Sequence, residues 1–162
     1  MKAAKPPPAE PEGLDIGYLS LFVGLRFNEL VLEALHAAGF DGIRHAHGYV
    51  FQHLLGGPLP VSELGRLLGV SQQAASKSVA ELMQLGYLED AGSADARVRR
   101  VALSARAQAA IQKTRSYRAA WSRRLQKKHG PALDQARALL ASVLEEMGGA
   151  DAVRTRKVRA PR

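Results

Sequence analysis

The stretch at residues 61–90, "VSELGRLLGVSQQAASKSVAELMQLGYLED", decides the fold. Leu64, Leu67 and Leu68 recur at helical spacing, Ser62 is a candidate N-cap, and Glu63 suits the positive end of a helix. Gly69 ends this short helix. Ser71 can cap a second helix two residues later, and Gly86 closes that one. A helix, a tight glycine turn and a second capped helix are the sequence form of a helix-turn-helix. On the second helix Ala75, Val79, Leu82 and Met83 share one arc, with Gln73, Ser76, Lys77, Ala80 and Gln84 opposite. The first arc has the composition of a core face. The second is polar, nearly uncharged and small at Ser76 and Ala80, which permits close approach to another surface.

The residues that follow supply a wing. "YLEDA" and "RVRRVAL" read as two short strands joined by the turn-rich "GSADA". Arg97, Arg99 and Arg100 crowd this hairpin. In a winged helix one helix enters the major groove of DNA, while the hairpin reaches phosphates or the adjacent minor groove.

Working outward, residues 44–55 form a helix with Ala46, Tyr49, Val50 and Leu54 at helical spacing, stopped by Gly56-Gly57-Pro58. Before it, "LDIGYLSLFVGLRFNELVLEALHAAGF" has too many apolar residues for a single stripe. A helix apolar nearly all round must be covered on more than one side, and a second subunit is the expected cover. Residues 1–13 are proline-rich and read as disordered. On the other side Ser104 can cap a long helix through about His129. Gly130-Pro131 breaks it and starts a final helix ending at Gly148-Gly149. The remaining "ADAVRTRKVRAPR" reads as a disordered basic tail.

Across 162 residues, 23 Lys and Arg face 15 Asp and Glu, a net charge of +8. This excess favours an anionic partner. No acidic residue occurs between Asp95 and Asp134, where the basic residues of the wing and the long helix gather. The absence of cysteine excludes disulfides, thiol catalysis and Cys-ligated zinc. The five histidines lack metal-ligand spacing, and no nucleophile–base motif, phosphate loop or carboxylate pair is present; neither an enzyme nor a metal or organic cofactor is expected. The N-terminus has no apolar signal segment, and the longest apolar run is too short for a membrane span, so a cytoplasmic location is expected.

These motifs together resemble the MarR family of winged-helix transcriptional regulators. Members typically show "LGVS-x-x-A-x-S-(Arg/Lys)-x-V-x-x-L-x-x-x-G-(Leu/Tyr)" and, after the wing, "Asp-x-Arg-x-x-x-Val-x-Leu-(Thr/Ser)". Both patterns occur here in order, at residues 68–87 and 95–104. The resemblance implies a mainly α fold with a small β-hairpin wing. A winged helix-turn-helix at about 43–111 would sit with dimerisation helices at 14–39 and 112–148 in one domain spanning 14–148. It implies a homodimeric repressor of double-stranded, pseudo-palindromic operator DNA, released by a small aromatic or anionic effector. Ser71, Gln72, Gln73, Ser76 and Lys77 on the reading helix, with Asp95, Arg97 and Arg99 in the wing, would be its DNA-binding residues. Phe22, Arg26, His47 and Phe51 would line the effector crevice.

The wing departs from the family pattern, with Asp90 and Ala91 where basic residues are common and Ala96 where Arg is common. A weaker wing grip is expected, with the basic tail compensating. Two other functions use the same features: an architectural DNA-binding protein without a ligand, and a winged-helix module whose basic surface meets an acidic protein.

Overall fold

The computed structural model describes residues 10–92 and 99–154. The wing tip, and with it Asp95 and Arg97, lies outside the described residues. Helix α1 (Ile16–Ala37) starts at Asp15, whose carboxylate accepts from the backbone N–H groups of Gly17 at 2.8 Å and Tyr18 at 3.0 Å. Helix α2 (His45–Leu54) leads into strand β1 (Leu59–Pro60) and helix α3 (Val61–Leu68). Helix α4 (Gln72–Gln84) is followed by β2 (Leu88–Asp90), β3 (Arg100–Leu103), α5 (Ala105–His129), α6 (Pro131–Glu146) and α7 (Ala150–Arg154).

Residues at the helix-turn-helix fix its geometry. Gly69 ends α3 at φ +68°, in the left-handed region that side chains with a Cβ disfavour. Ser71 then caps α4, its Oγ accepting from the Ala74 N–H at 3.2 Å, an interaction worth about 1 kcal/mol. Ala75, Val79 and Leu82 are buried against α3 and the sheet. The two helices meet so closely that a Cβ on Gly65 would stand 3.2 Å from the Ala75 Cβ. Gly65→Val should therefore cost about 1–3 kcal/mol by overpacking and lower the thermal midpoint. An unchanged midpoint would show that α3 and α4 can part without loss.

The sheet has three antiparallel strands in the order β1-β3-β2, with Leu59 opposite Val101 and Leu88 opposite Leu103. The two hairpin strands fall where the sequence places them. Strand β1 is an addition: a Leu-Pro pair after Gly57-Pro58 carries no alternating pattern and reads as loop. Its presence also moves the start of α3. Pro60 occupies the N-cap position and Ser62 lies exposed in the first turn without capping, because the extended strand runs directly into the helix.

Ser104 knots the base of the wing. Its N–H donates to the Tyr87 carbonyl at 3.1 Å, its hydroxyl donates to the Gly86 carbonyl at 2.7 Å, and the same oxygen accepts from Ala107 N–H as the cap of α5. Tyr87 is fully buried, and its hydroxyl donates to the Asp41 carbonyl at 2.9 Å. Arg106 lies 4.9 Å over the Tyr87 ring and donates to the Gly39 carbonyl at 2.9 Å. The winged unit is thus tied to the α1–α2 loop.

Helices α1 and α5 pack together, with the Phe27 and Trp121 rings edge-on at 5.8 Å. Only Val31 and Leu35 of α1 are buried. Its N-terminal half leaves Tyr18, Leu21, Phe22 and Val23 more than half exposed, and α6 likewise exposes Leu139, Leu140 and Leu144. The described parts of the two end segments differ from the expected disorder. Residues 11–13 make one 3₁₀ turn, and residues 150–154 form α7, with Ala150 buried and Arg154 paired to Glu145 and Asp151. The ion pairs and the apolar Ala150 contact offset the charge that makes this tail look unstructured.

Candidate nucleic-acid interface

The polar face of α4 is fully presented to solvent. Ser71, Gln72, Gln73, Ser76, Lys77, Ala80 and Gln84 are all exposed, while the opposite side of the helix is in the core. Helical periodicity produces this division, since Ala75, Val79 and Leu82 hold one stripe inward. Ser71 is committed to its cap. Gln73 offers both a donor and an acceptor, Lys77 offers three donors, and the small Ser76 and Ala80 leave the backbone free to come close.

Arg99, just before β3, is exposed at the edge of this face. Its guanidinium is 3.9 Å from the Asp90 carboxylate on β2 and approaches the Met83 sulfur. Asp90 thus partly neutralises the nearest described wing arginine, the electrostatic counterpart of the sequence departure noted above. Arg100 points the other way, donating to the Pro58 carbonyl at 2.8 Å.

A second feature lies between α1, α2 and α5: a crevice of about 640 Å³, a volume suited to a small molecule. Its walls are apolar, with Leu25, Val31, Leu35, Ile43, Phe51 and Ile111 among them, and its polar groups include Asn28, Arg44, Thr114 and Arg118. Arg118 donates to Asn28 Oδ1 at 2.7 Å and lies 5.6 Å over the Phe27 ring. Among the described residues no ion pair neutralises it.

Of the four residues suggested for this crevice, the structure brings only Phe51 to it. Phe22 lies on the exposed apolar half of α1. Arg26 points to the outer side of the same helix, paired with Glu29 at 3.0 Å and Glu33 at 2.9 Å. His47 is buried on the other side of α2, facing α4. Helical rotation turns Arg26 and His47 away from their crevice neighbours Leu25 and Ala46, while Phe22 lies one turn before Leu25, the first crevice residue of α1. Arg44, Asn28 and Arg118 take their places. Their signal was present in the apolar stripes, since Leu25, Asn28, Leu32 and Leu35 share one side of α1, and Ala107, Ile111, Thr114 and Arg118 share one side of α5.

His47 has a defined protonation chemistry. Its Nδ1 accepts from the Arg44 backbone N–H at 3.3 Å, and its Nε2 lies 3.2 Å from the Arg44 guanidinium and 3.7 Å from Glu81 Oε2. Burial, aided by the Arg44 guanidinium, pushes its pKa below the ordinary value near 6.5, and Glu81 only partly opposes this. Burial lowers His53 as well. The folded protein therefore holds fewer protons than the unfolded chain just below pH 6.5. The stability conferred by neutral His47 and His53 is complete above that pH and is lost as pH falls through their depressed folded values. Urea unfolding at pH 7.5 and 5.5 should show a lower midpoint at pH 5.5, and His47→Gln should shrink the difference. An equal drop in the variant would assign the effect elsewhere.

Among the described residues no helix is long and apolar enough to cross a membrane, and no cluster of His, Asp and Glu could hold a metal ion. The model of the MarR family matches residues 41–97. No curated protein matches the chain. Similar solved structures include wild-type MarR in its apo form from E. coli, 20% identical over 81% of this chain and 97% of that one, with a TM-score of 0.61. Another is RV1404 from Mycobacterium tuberculosis, 21% identical over 89% and 99%, with a TM-score of 0.67. A third is a mutant MepR from S. aureus bound to an oligodeoxyribonucleotide, 16% identical over 83% and 99%, with a TM-score of 0.57. These likenesses cover helices on both sides of the winged unit and establish the fold. The family model thus matches the winged unit at residues 41–97, and the chain around it has the fold of these winged-helix structures.

Proposed function

We propose that this protein is a sequence-specific DNA-binding transcription regulator that acts as a homodimer, represses from a pseudo-palindromic operator and is released by a small anionic effector. The observation that carries the reading is the exposed face of α4, polar at Gln73 and Lys77 and small at Ser76 and Ala80. Such a face suits a major groove: Gln pairs with adenine, Lys with guanine, and small residues admit the groove wall. The net charge of +8 supplies the sequence-independent attraction to phosphate. The exposed apolar sides of α1 and α6 support a second copy as their cover, because monomers rarely leave so much contiguous apolar surface in water. The crevice supports an effector that combines an apolar body with negative charge, since Arg118 stands there without a carboxylate partner among the described residues.

Titration of a labelled duplex against salt concentration tests the DNA reading. The affinity should fall steeply and log-linearly with salt as neutralised phosphates recover their counterions. An affinity for duplex DNA that is weak at low salt and indifferent to sequence would contradict it, and tight binding to an acidic protein in its place would favour the interaction-module reading.

A further inference from the structure

The crevice and the α4 helix share a charged residue. Arg44 lines the crevice, and its guanidinium pairs with Glu81 of α4, one turn beyond Lys77. His47 sits beneath the pair, 2% exposed, with Nε2 3.7 Å from the same Glu81 oxygen. Among the described residues, the ion pairs made by α4 all pass through Glu81. The Arg44 side chain is 62% exposed, so it can swing without disturbing the core.

We infer that Arg44 and Glu81 form a latch by which an anion in the crevice acts on the reading helix; this rests on the crevice being an anion site. A carboxylate entering the crevice competes with Glu81 for one guanidinium fork. The conformation with Arg44 turned from Glu81 binds the anion better, which is the differential affinity that a ligand-driven shift requires. Once Arg44 leaves, Glu81 keeps only neutral His47 beside it, and α4 loses its ionic tie to α2. By linkage, DNA that holds α4 in the latched position weakens the anion by the same factor.

Benzoate, one carboxylate on an apolar ring, is a suitable probe. Two quantities are compared in the intact dimer of wild type and Glu81→Gln: the benzoate Kd by calorimetry, and the ratio of DNA Kd values with and without saturating benzoate on one duplex. Glutamine is isosteric and the position is partly exposed, so folding is retained. Using the ratio cancels any direct effect of the lost charge on DNA. Wild type should weaken on DNA by at least about fivefold with benzoate. Glu81→Gln should bind benzoate several-fold more tightly, because Arg44 has lost its competitor, yet its DNA ratio should fall to near unity. A variant that keeps the wild-type ratio, or binds benzoate no more tightly, overturns the latch alone. Failure of benzoate to bind either protein overturns the anion-site reading, and the latch with it.

Discussion

The proposed homodimer should fall to a folded monomer when Phe22 and Leu139 are both replaced by glutamate, and its operator binding should weaken by at least about a hundredfold. Both side chains are more than half exposed in the single chain, so charge there disturbs little of the winged unit's core. In a dimer the same positions would bury two carboxylates per chain without partners, a cost of several kcal/mol. The affinity loss follows from linkage of two reading heads: once the first half-site is engaged, the second binds at a high effective concentration, a gain of about 10²–10⁴ that a monomer forfeits. Sedimentation velocity reads the first effect as a fall from twice the 17.5 kDa chain mass to that mass itself. A wild-type protein already at 17.5 kDa, or a double variant that stays dimeric, would show that these helices meet something other than their own copy.

The second large effect is expected at the reading face. Gln73→Ala and Lys77→Ala remove exposed donors opposite the buried Ala75, Val79 and Leu82, so the thermal midpoint should stay within a degree or two while DNA affinity falls. A well-placed base contact is worth about 1–3 kcal/mol, roughly 5- to 150-fold. Gln73→Ala should relax the base preference at one operator position. Lys77→Ala should in addition reduce the salt slope if it meets phosphate and leave the slope unchanged if it meets guanine. Unaltered affinity of both variants at fixed salt would remove α4 as the reading element.

How far these features were legible in the sequence depended on the range of the forces behind them. The division of α4 into two faces, the Gly69 turn and the caps at Ser71 and Ser104 are local consequences of periodicity and backbone chemistry, and the structure has them where the sequence places them. Ser62 failed as a cap because strand pairing between Leu59 and Val101, 42 positions apart, carried extended backbone up to Pro60. Arg106 is one of the basic residues that gather in the long helix, yet it stacks on Tyr87 and reaches the Gly39 carbonyl, contacts that no one-dimensional pattern encodes. The crevice residues were partly legible. Asn28 and Arg118 interrupt apolar stripes at helical spacing, a stronger sign of a polar group aimed at a cavity than the identity of His47 or Arg26 alone. The Arg44–Glu81 pair joins residues 37 apart and became visible only once the fold brought the start of α2 beside Glu81.

The central claim, a dimer that reads DNA through two copies of α4, is tested most directly by selecting bound duplexes from a random pool with the purified protein. The account predicts a pseudo-palindromic site whose half-sites are centred about one helical turn apart, roughly 10 base pairs, and whose enrichment is lost with Gln73→Ala and Lys77→Ala combined. A pool that yields no enriched sequence, or a single unpaired half-site bound equally well by the α4 variant, would contradict it.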